Sequence, residues 1–188
     1  MPQPKTIQQV LELTLQKVLQ EKIKLIGSGR TDSGVGALGQ AANFKTASSL
    51  KPQEIRKALN SLLPKDISIK EACIVNDGFH SRYRAKSKEY RYIIFNSANR
   101  DVFYDRFSWR VPYSLNLELM RKEAKVLSGR HDFKSFCAAS SGVKNTVRNV
   151  KRIELKLLKA GKFTDFFGLQ GQESLIVITI IADGFLYN

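Results

Sequence analysis

The sequence predicts an α+β protein of two similar halves that share a largely antiparallel sheet with flanking helices. Two observations lead to this class. Segments with apolar residues at helical spacing are interleaved with segments in which apolar and polar residues alternate. This order of helices and strands occurs once before residue 97 and again after it, as in proteins whose helices pack on one face of an antiparallel sheet. We therefore divide one continuous unit into an N-terminal half, residues 1–97, and a C-terminal half, residues 98–188.

Three helices are predicted from start signals and apolar spacing. Thr6 and Gln9 form a T-x-x-Q capping box ahead of a run of apolar residues at helical spacing. Pro52 suits the first turn of a second helix, which Leu63-Pro64 ends. In the second half, residues 117–127 have the spacing of a helix that stops near Ser128-Gly129.

The predicted strands differ in how they are buried. Residues 23–26 are strand-like, residues 67–69 alternate as in a half-buried strand, and residues 90–95 are aromatic and β-branched. Residues 150–157 alternate with charged residues and so have one wet face. Residues 175–181 are nearly all apolar, which indicates a central strand.

The charge of the chain indicates a polyanionic partner. The 188 residues carry a formal net charge of +14, while 43% of residues are hydrophobic and can form a sizeable core. The excess positive charge is typical of proteins that bind nucleic acid. The most basic segment, opposed only by Glu89, contains Arg82, Arg84, Lys86, Lys88 and Arg91. Contact with an RNA backbone and a merely solvated face are both consistent with this segment.

Several other classes of protein are disfavoured. Cys73 and Cys137, with two histidines, lack the spacing of a zinc site, so we expect buried free thiols and no metal. There is no Walker or Rossmann glycine pattern and no apolar run long enough to span a membrane. The first residues do not form a signal peptide, so we expect a cytoplasmic protein.

One loop concentrates chemistry-bearing residues. Asp32 lies in the run G-R-T-D-S-G-V at 29–35, where Gly29 and Gly34 permit positive φ and close approach to a ligand. Arg30 can bind phosphate or stack on a base. The alternatives are an Asx-turn in which Asp32 binds its own loop backbone, and a phosphate contact or structural salt bridge for Arg30.

At this point the residues resemble a known family, tRNA pseudouridine synthase A. Five ordered blocks carry the resemblance: G-R-T-D-S-G-V at 29–35, F-H-S-R-Y at 79–83, K-E-Y-R-Y at 88–92, G-R-H-D-F-K-S-F at 129–136 and G-F-L-Y at 184–187. The resemblance implies the pseudouridine synthase fold and a homodimer. It also implies an isomerase, without cofactor, that converts uridine to pseudouridine at positions 38, 39 and 40 of the tRNA anticodon stem-loop.

The resemblance also implies roles for single residues. Asp32 is the catalytic residue, as nucleophile or as base, so the N-terminal half carries the catalytic loop. Arg30 holds the flipped-out nucleotide, and Tyr90 stacks on or packs against the uracil; the plain alternative for Tyr90 is a core tyrosine. With tRNA as the implied substrate, the net charge of +14 favours contact of its backbone with the basic residues over a solvated face; these residues are Arg82, Arg84, Lys86 and Lys88. His131 and Asp132 lie in a block that is structural or RNA-contacting, so we do not expect a catalytic pair.

The sequence departs from the family pattern at both ends. It starts after the family's first strand and stops at Asn188, before the family's pocket arginine. We therefore expect a member that lacks both ends, with an incomplete C-terminal half, and that is inactive as the 188-residue chain alone.

Two alternatives of other classes remain open at this point. One is a non-catalytic RNA-binding module, which would explain the charge but not the Asp32 loop. The other is an acid–base hydrolase, which needs a second carboxylate; Asp66 and Asp77 are the candidates.

Overall fold

The computed structural model describes residues 6–138, 142–159, 169 and 173–186. The chain forms two compact units, Met1–Ala85 and Lys86–Asn188. The predicted halves divide at residue 97, whereas the compact units divide before the strand Lys88–Asn96, because that strand pairs over its whole length with a strand of the second unit.

In the first unit, helix α1 (Ile7–Leu19) begins at the predicted capping box. The Thr6 hydroxyl accepts a hydrogen bond from the Gln9 amide at 3.2 Å, and the Gln9 side chain accepts one from the Thr6 amide at 3.2 Å. The helix is followed by Gln20 in the left-handed conformation, with φ of 55°. The predicted first helix is therefore confirmed together with its start signal.

The segment after α1 forms less strand than expected. Only Ile26 and Gly27 form a strand, β1 (Ile26–Gly27), which pairs antiparallel with β2 (Ala42–Asn43). The backbone of Leu25 is bonded instead by two side chains of α1: its carbonyl accepts from Gln8 at 3.1 Å and its amide donates to Glu12 at 2.9 Å. Side chains of the helix thus satisfy backbone groups that a neighbouring strand would otherwise bind.

Helix α2 (Pro52–Leu62) starts and ends as predicted. It packs on α1 around a core whose buried members are Leu15, Leu19, Ile23, Leu25, Ile55 and Leu59. The strand expected at residues 67–69 is wrong. Its residues alternate between half-buried and exposed, but the amide and carbonyl of Ile69 are both bonded by the Asn60 side chain of α2, at 2.7 and 2.9 Å.

The second unit contains a five-stranded sheet in the order β4 (Trp109–Val111), β3 (Lys88–Asn96), β7 (Ser174–Ala182), β6 (Val147–Lys159), β5 (Gly129–Asp132). Among the strands that the structure describes, β3 and β4 pair in parallel and the other pairings are antiparallel. The α+β class and the largely antiparallel sheet are confirmed. Because β3 precedes residue 97, both predicted halves contribute strands to this sheet, and β7 is central as its apolar composition predicted.

A bulge in β6 explains an irregularity in its apolar pattern. Val150 and Ile153 are an odd number of positions apart and would point to opposite faces of a regular strand. The pairing with β7 shifts between Val150 and Arg152, which leaves Lys151 without a partner in the ladder. Val150 and Ile153 therefore lie opposite Ala182 and Ile180, on one face of the sheet.

That face is partly covered by α3 (Leu117–Ala124), which continues as a 3₁₀ turn, Lys125–Leu127. Leu117 and Met120 pack on the buried side chains of Ile94, Val111 and Ile176. The helical segment stops before Gly129, which adopts a φ of 97°, as the Ser128-Gly129 stop signal predicted.

Two further expectations can be compared with the described residues. Cys73 is exposed and Cys137 is half-buried, so the expectation that both are buried is wrong. In the part of the chain that the structure describes, no helix has the length and apolar character needed to cross a bilayer.

Candidate active site

Asp32 lies in the connection between β1 and β2, in a turn closed by its own backbone. The Val35 amide donates to the Asp32 carbonyl at 3.2 Å, and Gly34 adopts a φ of 82°, a conformation that favours glycine. Asp32 is exposed, and within residues 6–138, 142–159, 169 and 173–186 its carboxylate has no hydrogen bond or ion pair. An Asx-turn would use the carboxylate as an acceptor. The turn therefore closes without it and leaves both of its oxygens open to a ligand.

The base of this loop is held by two side chains. Gln40 donates to the Gly29 carbonyl at 2.7 Å. The buried Ser81 donates its hydroxyl to the Ile26 carbonyl at 2.6 Å and its amide to the Asn43 side chain at 2.9 Å, and so binds both β1 and β2. Of the two glycines that permit positive φ, Gly34 adopts it and Gly29 does not; the Gly29 carbonyl accepts the hydrogen bond from Gln40.

Arg30 lies in the same turn as Asp32 and is exposed. In the part of the chain that the structure describes it forms no ion pair, so the salt-bridge alternative has no partner there. Its guanidinium, with five donors in a planar fork, is available to a phosphate or to the face of a base.

Tyr90 lies in the second unit, on β3, directly opposite Ile180 of β7. Its side chain is 37% exposed, so it is not the core tyrosine that the alternative required. One side of its ring is packed edge-on against Phe185, with centroids 4.6 Å apart and an angle of 71° between the planes. The arrangement leaves ring surface accessible for stacking.

The four basic residues predicted to contact RNA form no ion pairs within the described residues. Arg82 and Arg84 lie in the first unit and are exposed; Lys86 is exposed and Lys88 is half-buried in the second unit. The ion pairs of the described residues use other cations, such as Arg91 with Glu89 at 2.8 Å. None of these four charges is neutralised by a carboxylate in the described part of the chain.

His131 and Asp132 are each bonded to other groups. His131 Nε2 is 2.8 Å from the Ser128 carbonyl, and Asp132 accepts from the Lys134 amide at 3.0 Å and from the Thr146 hydroxyl. The hydrogen bonds from Thr146 and from the Lys134 backbone lower the pKa of Asp132 below its ordinary value. These contacts hold the end of β5, and the expectation that the block is structural or RNA-contacting stays a prediction.

Comparison with known proteins then decides the family. The model of a family described as tRNA pseudouridine synthase matches residues 1–84 and 124–188. The tRNA pseudouridine synthase A of Caldicellulosiruptor bescii is 41% identical over 187 residues, which cover 100% of this chain and 71% of that protein. Those of Bacillus licheniformis and Bacillus subtilis are 43% and 39% identical over 189 residues, with the same two coverages.

The chain belongs to the tRNA pseudouridine synthase family. The resemblance drawn from the five sequence blocks is confirmed at the level of the family. The matched ranges contain the Asp32 loop and Phe185 and leave out Tyr90, whereas the three relatives align with the whole chain. Tyr187, in the last block, lies outside the described residues, as do Gln3, Pro4 and Lys5 at the start.

Sequence reasoning missed two contacts that the structure shows, one beside the Asp32 loop in the first unit and one beside Tyr90 in the second. Ser81 lies in the block F-H-S-R-Y, and only the fold shows that it joins β1 to β2 at the base of the Asp32 loop. Phe185 lies in the sequence block G-F-L-Y, but its contact with Tyr90 can be foreseen only when the β3–β7 register is known. In the described residues no three side chains of His, Cys, Asp or Glu are grouped so as to hold a metal ion.

Proposed function

We propose that this protein isomerises uridine to pseudouridine in tRNA, with Asp32 as the catalytic residue. The observation that carries the proposal is the exposed carboxylate of Asp32, which has no partner in the described residues and lies in the G-R-T-D-S-G turn of a chain from this family. The reaction breaks the N-glycosidic bond, rotates the uracil, and joins C1′ of the ribose to C5 of the base. The hydrogen on C5 is released to solvent, and the nitrogen that leaves C1′ gains a proton.

Asp32 acts on the sugar or on the base through an oxygen that the turn does not use. A carboxylate can attack C1′ as a nucleophile or remove a proton from the sugar; both roles require an ionised oxygen with no competing donor. The positive φ of Gly34 and the bond from Val35 to the Asp32 carbonyl fix the backbone from which this side chain projects. The turn therefore holds the backbone of Asp32 without forming a hydrogen bond to its carboxylate.

Arg30 and Tyr90 have binding roles in this proposal. A base in a stem must leave its stack before its glycosidic bond can be reached, at a cost of a few kcal/mol. The planar, uncommitted guanidinium of Arg30 suits the space that the base vacates or a phosphate beside it. The exposed ring surface of Tyr90 suits stacking on the uracil, which is worth about 1–3 kcal/mol per base.

The test compares Asp32→Asn with Asp77→Asn. Asp77 is a second exposed turn aspartate of the first unit, followed directly by Gly78, and is a matched control for the loss of one charge. Turnover is measured as tritium release from tRNA labelled at C5 of uridine, and affinity as the Kd for tRNA. We expect the Asp32 variant to be at least about 100-fold slower with tRNA affinity unchanged, and the control to match the wild type.

Other outcomes distinguish the alternatives. A wild-type protein that binds tRNA but releases no tritium would be an RNA-binding module. Turnover of a free nucleotide without RNA would favour the hydrolase. Wild-type rates in the Asp32 variant would show that another group carries the chemistry.

We further propose positions 38, 39 and 40 of the anticodon stem-loop as targets, a homodimer as the acting species, and the cytoplasm as its location. The resemblance supports the targets and the dimer, and the cellular site of tRNA supports the location. Mapping of pseudouridine in tRNA from cells with and without the protein tests the targets. Sedimentation of the purified chain tests the dimer.

A further inference from the structure

The ring of Tyr90 is held by a neighbour that comes from the end of the adjacent strand. Tyr90 lies opposite Ile180 on β7, and Phe185 follows the end of β7 by three residues. The two rings meet edge to face, 4.6 Å apart between centroids and at 71°. Of the described aromatic residues, Phe185 is the one in ring contact with Tyr90.

The residues that precede Phe185 are held by contacts with β6. Asp183 is bonded twice to Asn149 of β6: the Asn149 amide donates to the Asp183 carboxylate at 3.1 Å, and the Asp183 amide donates to the Asn149 carbonyl at 3.2 Å. Gly184 then lies so close to Arg148 that a Cβ there would be 3.3 Å from its Nε. Arg148 is bonded to the carbonyls of Asn145 and Val147 at 2.9 and 2.7 Å. The chain is thus attached to β6 immediately before Phe185.

We propose that Phe185 is a positioning residue that holds the Tyr90 ring in the orientation in which it stacks on the target uracil. The proposal rests on the proposed function of Tyr90. Phe185 does not touch the substrate in this proposal; it acts through Tyr90.

The physical reason is preorganisation. A half-exposed tyrosine that is free to change rotamer must be immobilised when a base stacks on it, which reduces the free energy gained from stacking. An edge-to-face contact with a fixed ring removes that freedom before the substrate arrives. Because phosphate contacts dominate the affinity for RNA, the loss of Phe185 should affect turnover of the flipped base more than the binding of whole tRNA.

The same strand supplies a matched control. Tyr92, two residues further along the same face of β3, is packed edge-on against Trp109, with centroids 6.5 Å apart and an angle of 68° between the planes. Tyr92 is 55% exposed and has no assigned role in the reaction. Trp109→Leu therefore removes an edge-on ring from a neighbouring tyrosine of the same sheet.

The experiment measures kcat/KM by tritium release, and the Kd for tRNA. The single variants are Phe185→Leu, Phe185→Tyr, Trp109→Leu and Tyr90→Leu. A double variant combines Phe185→Leu with Tyr90→Leu. Leucine keeps apolar volume at position 185 and limits the effect on folding. We expect Phe185→Leu to lower kcat/KM about threefold to tenfold. Phe185→Tyr, which keeps an aromatic ring, should retain the wild-type value, and Trp109→Leu should stay within about twofold of it. The Kd should change less than about twofold in the Phe185 and Trp109 single variants. In the Tyr90→Leu background, Phe185→Leu should cause no further loss.

Each other result is decisive. A wild-type protein without turnover would overturn the proposed function and this inference together. With an active wild type, equal losses in the Phe185 and Trp109 variants would show a general packing effect and refute the inference alone. If Phe185→Leu lowers kcat/KM by the same factor in the wild type and in Tyr90→Leu, the inference is also refuted, because Phe185 then does not act through the Tyr90 ring.

Discussion

The turn that carries Asp32 and the strand that carries Tyr90 are built in different ways. The turn is exposed, is closed by one backbone bond, and keeps its side chain free of partners among the described residues. The strand β3 pairs with β7 at every position from Lys88 to Asn96, and Ile94 near its C-terminal end is buried under α3. The proposed chemistry is thus placed on a loop whose base is hydrogen-bonded by Gln40 and Ser81, and the proposed binding surface on the sheet. Substitutions in the two regions should therefore affect different measurements.

The largest effect is expected in the sheet, on stability. Ile94 is 4% exposed and packs with Val111 and Ile176, so Ile94→Ala removes buried methyl groups and leaves a cavity. We expect a loss of about 2–5 kcal/mol in the free energy of unfolding, measured in urea. The control is Val102→Ala in the same unit, at a side chain that is 81% exposed, which should change it by about 0.5 kcal/mol or less. A similar loss in both variants would contradict the assignment of Ile94 to the core.

The next effect is expected in the turn, on activity alone. A β-branched side chain is strained at the φ of 82° that Gly34 adopts, so Gly34→Val should change the turn and displace Asp32. We expect kcat/KM to fall by about 100-fold with little change in melting temperature. Gly36→Val is the matched control: both glycines have open space around an added Cβ, but Gly36 is outside the left-handed region. Equal activities in the two variants would show that the conformation of Gly34 does not position Asp32.

The same contrast explains what the sequence could predict. Capping residues, apolar spacing and the central run of β7 depend on nearby residues, so α1, α2, α3 and β7 could be located from the chain itself. The segment at residues 67–69 looked like a strand, but its backbone is bonded by Asn60, and side-chain partners across a fold leave no periodic signal. Likewise Asp32 could be selected from its motif, whereas the contact of Phe185 with Tyr90 depends on strand register.

A smaller and additive effect is expected from the free cations. If the four basic residues contact phosphates, their replacement by glutamine should flatten the log–log dependence of tRNA affinity on salt by about 0.7–0.9 per contact. The residues replaced are Arg82, Arg84, Lys86 and Lys88. A matched control replaces four other exposed lysines of the first unit, which are Lys51, Lys57, Lys65 and Lys70. The same slope in the basic-segment variant and the wild type would identify that segment as a solvated face.

The smallest effect concerns the structural pair at the end of β5 and how it depends on pH. The hydrogen bonds of Asp132 from Thr146 and the Lys134 backbone lower its pKa in the folded chain, so they contribute stability above the pKa of an unfolded aspartate, about 3.9. That contribution is lost as the pH falls through the lowered folded-state pKa. We therefore expect Thr146→Val to lower the melting temperature at pH 7 and to have a smaller effect in acid, while Thr146→Ser, which keeps the hydroxyl, retains the wild-type pH dependence. A deficit in Thr146→Val that is constant from pH 7 into the acid range would mean that the hydroxyl stabilises the strand end without favouring the charged form of Asp132.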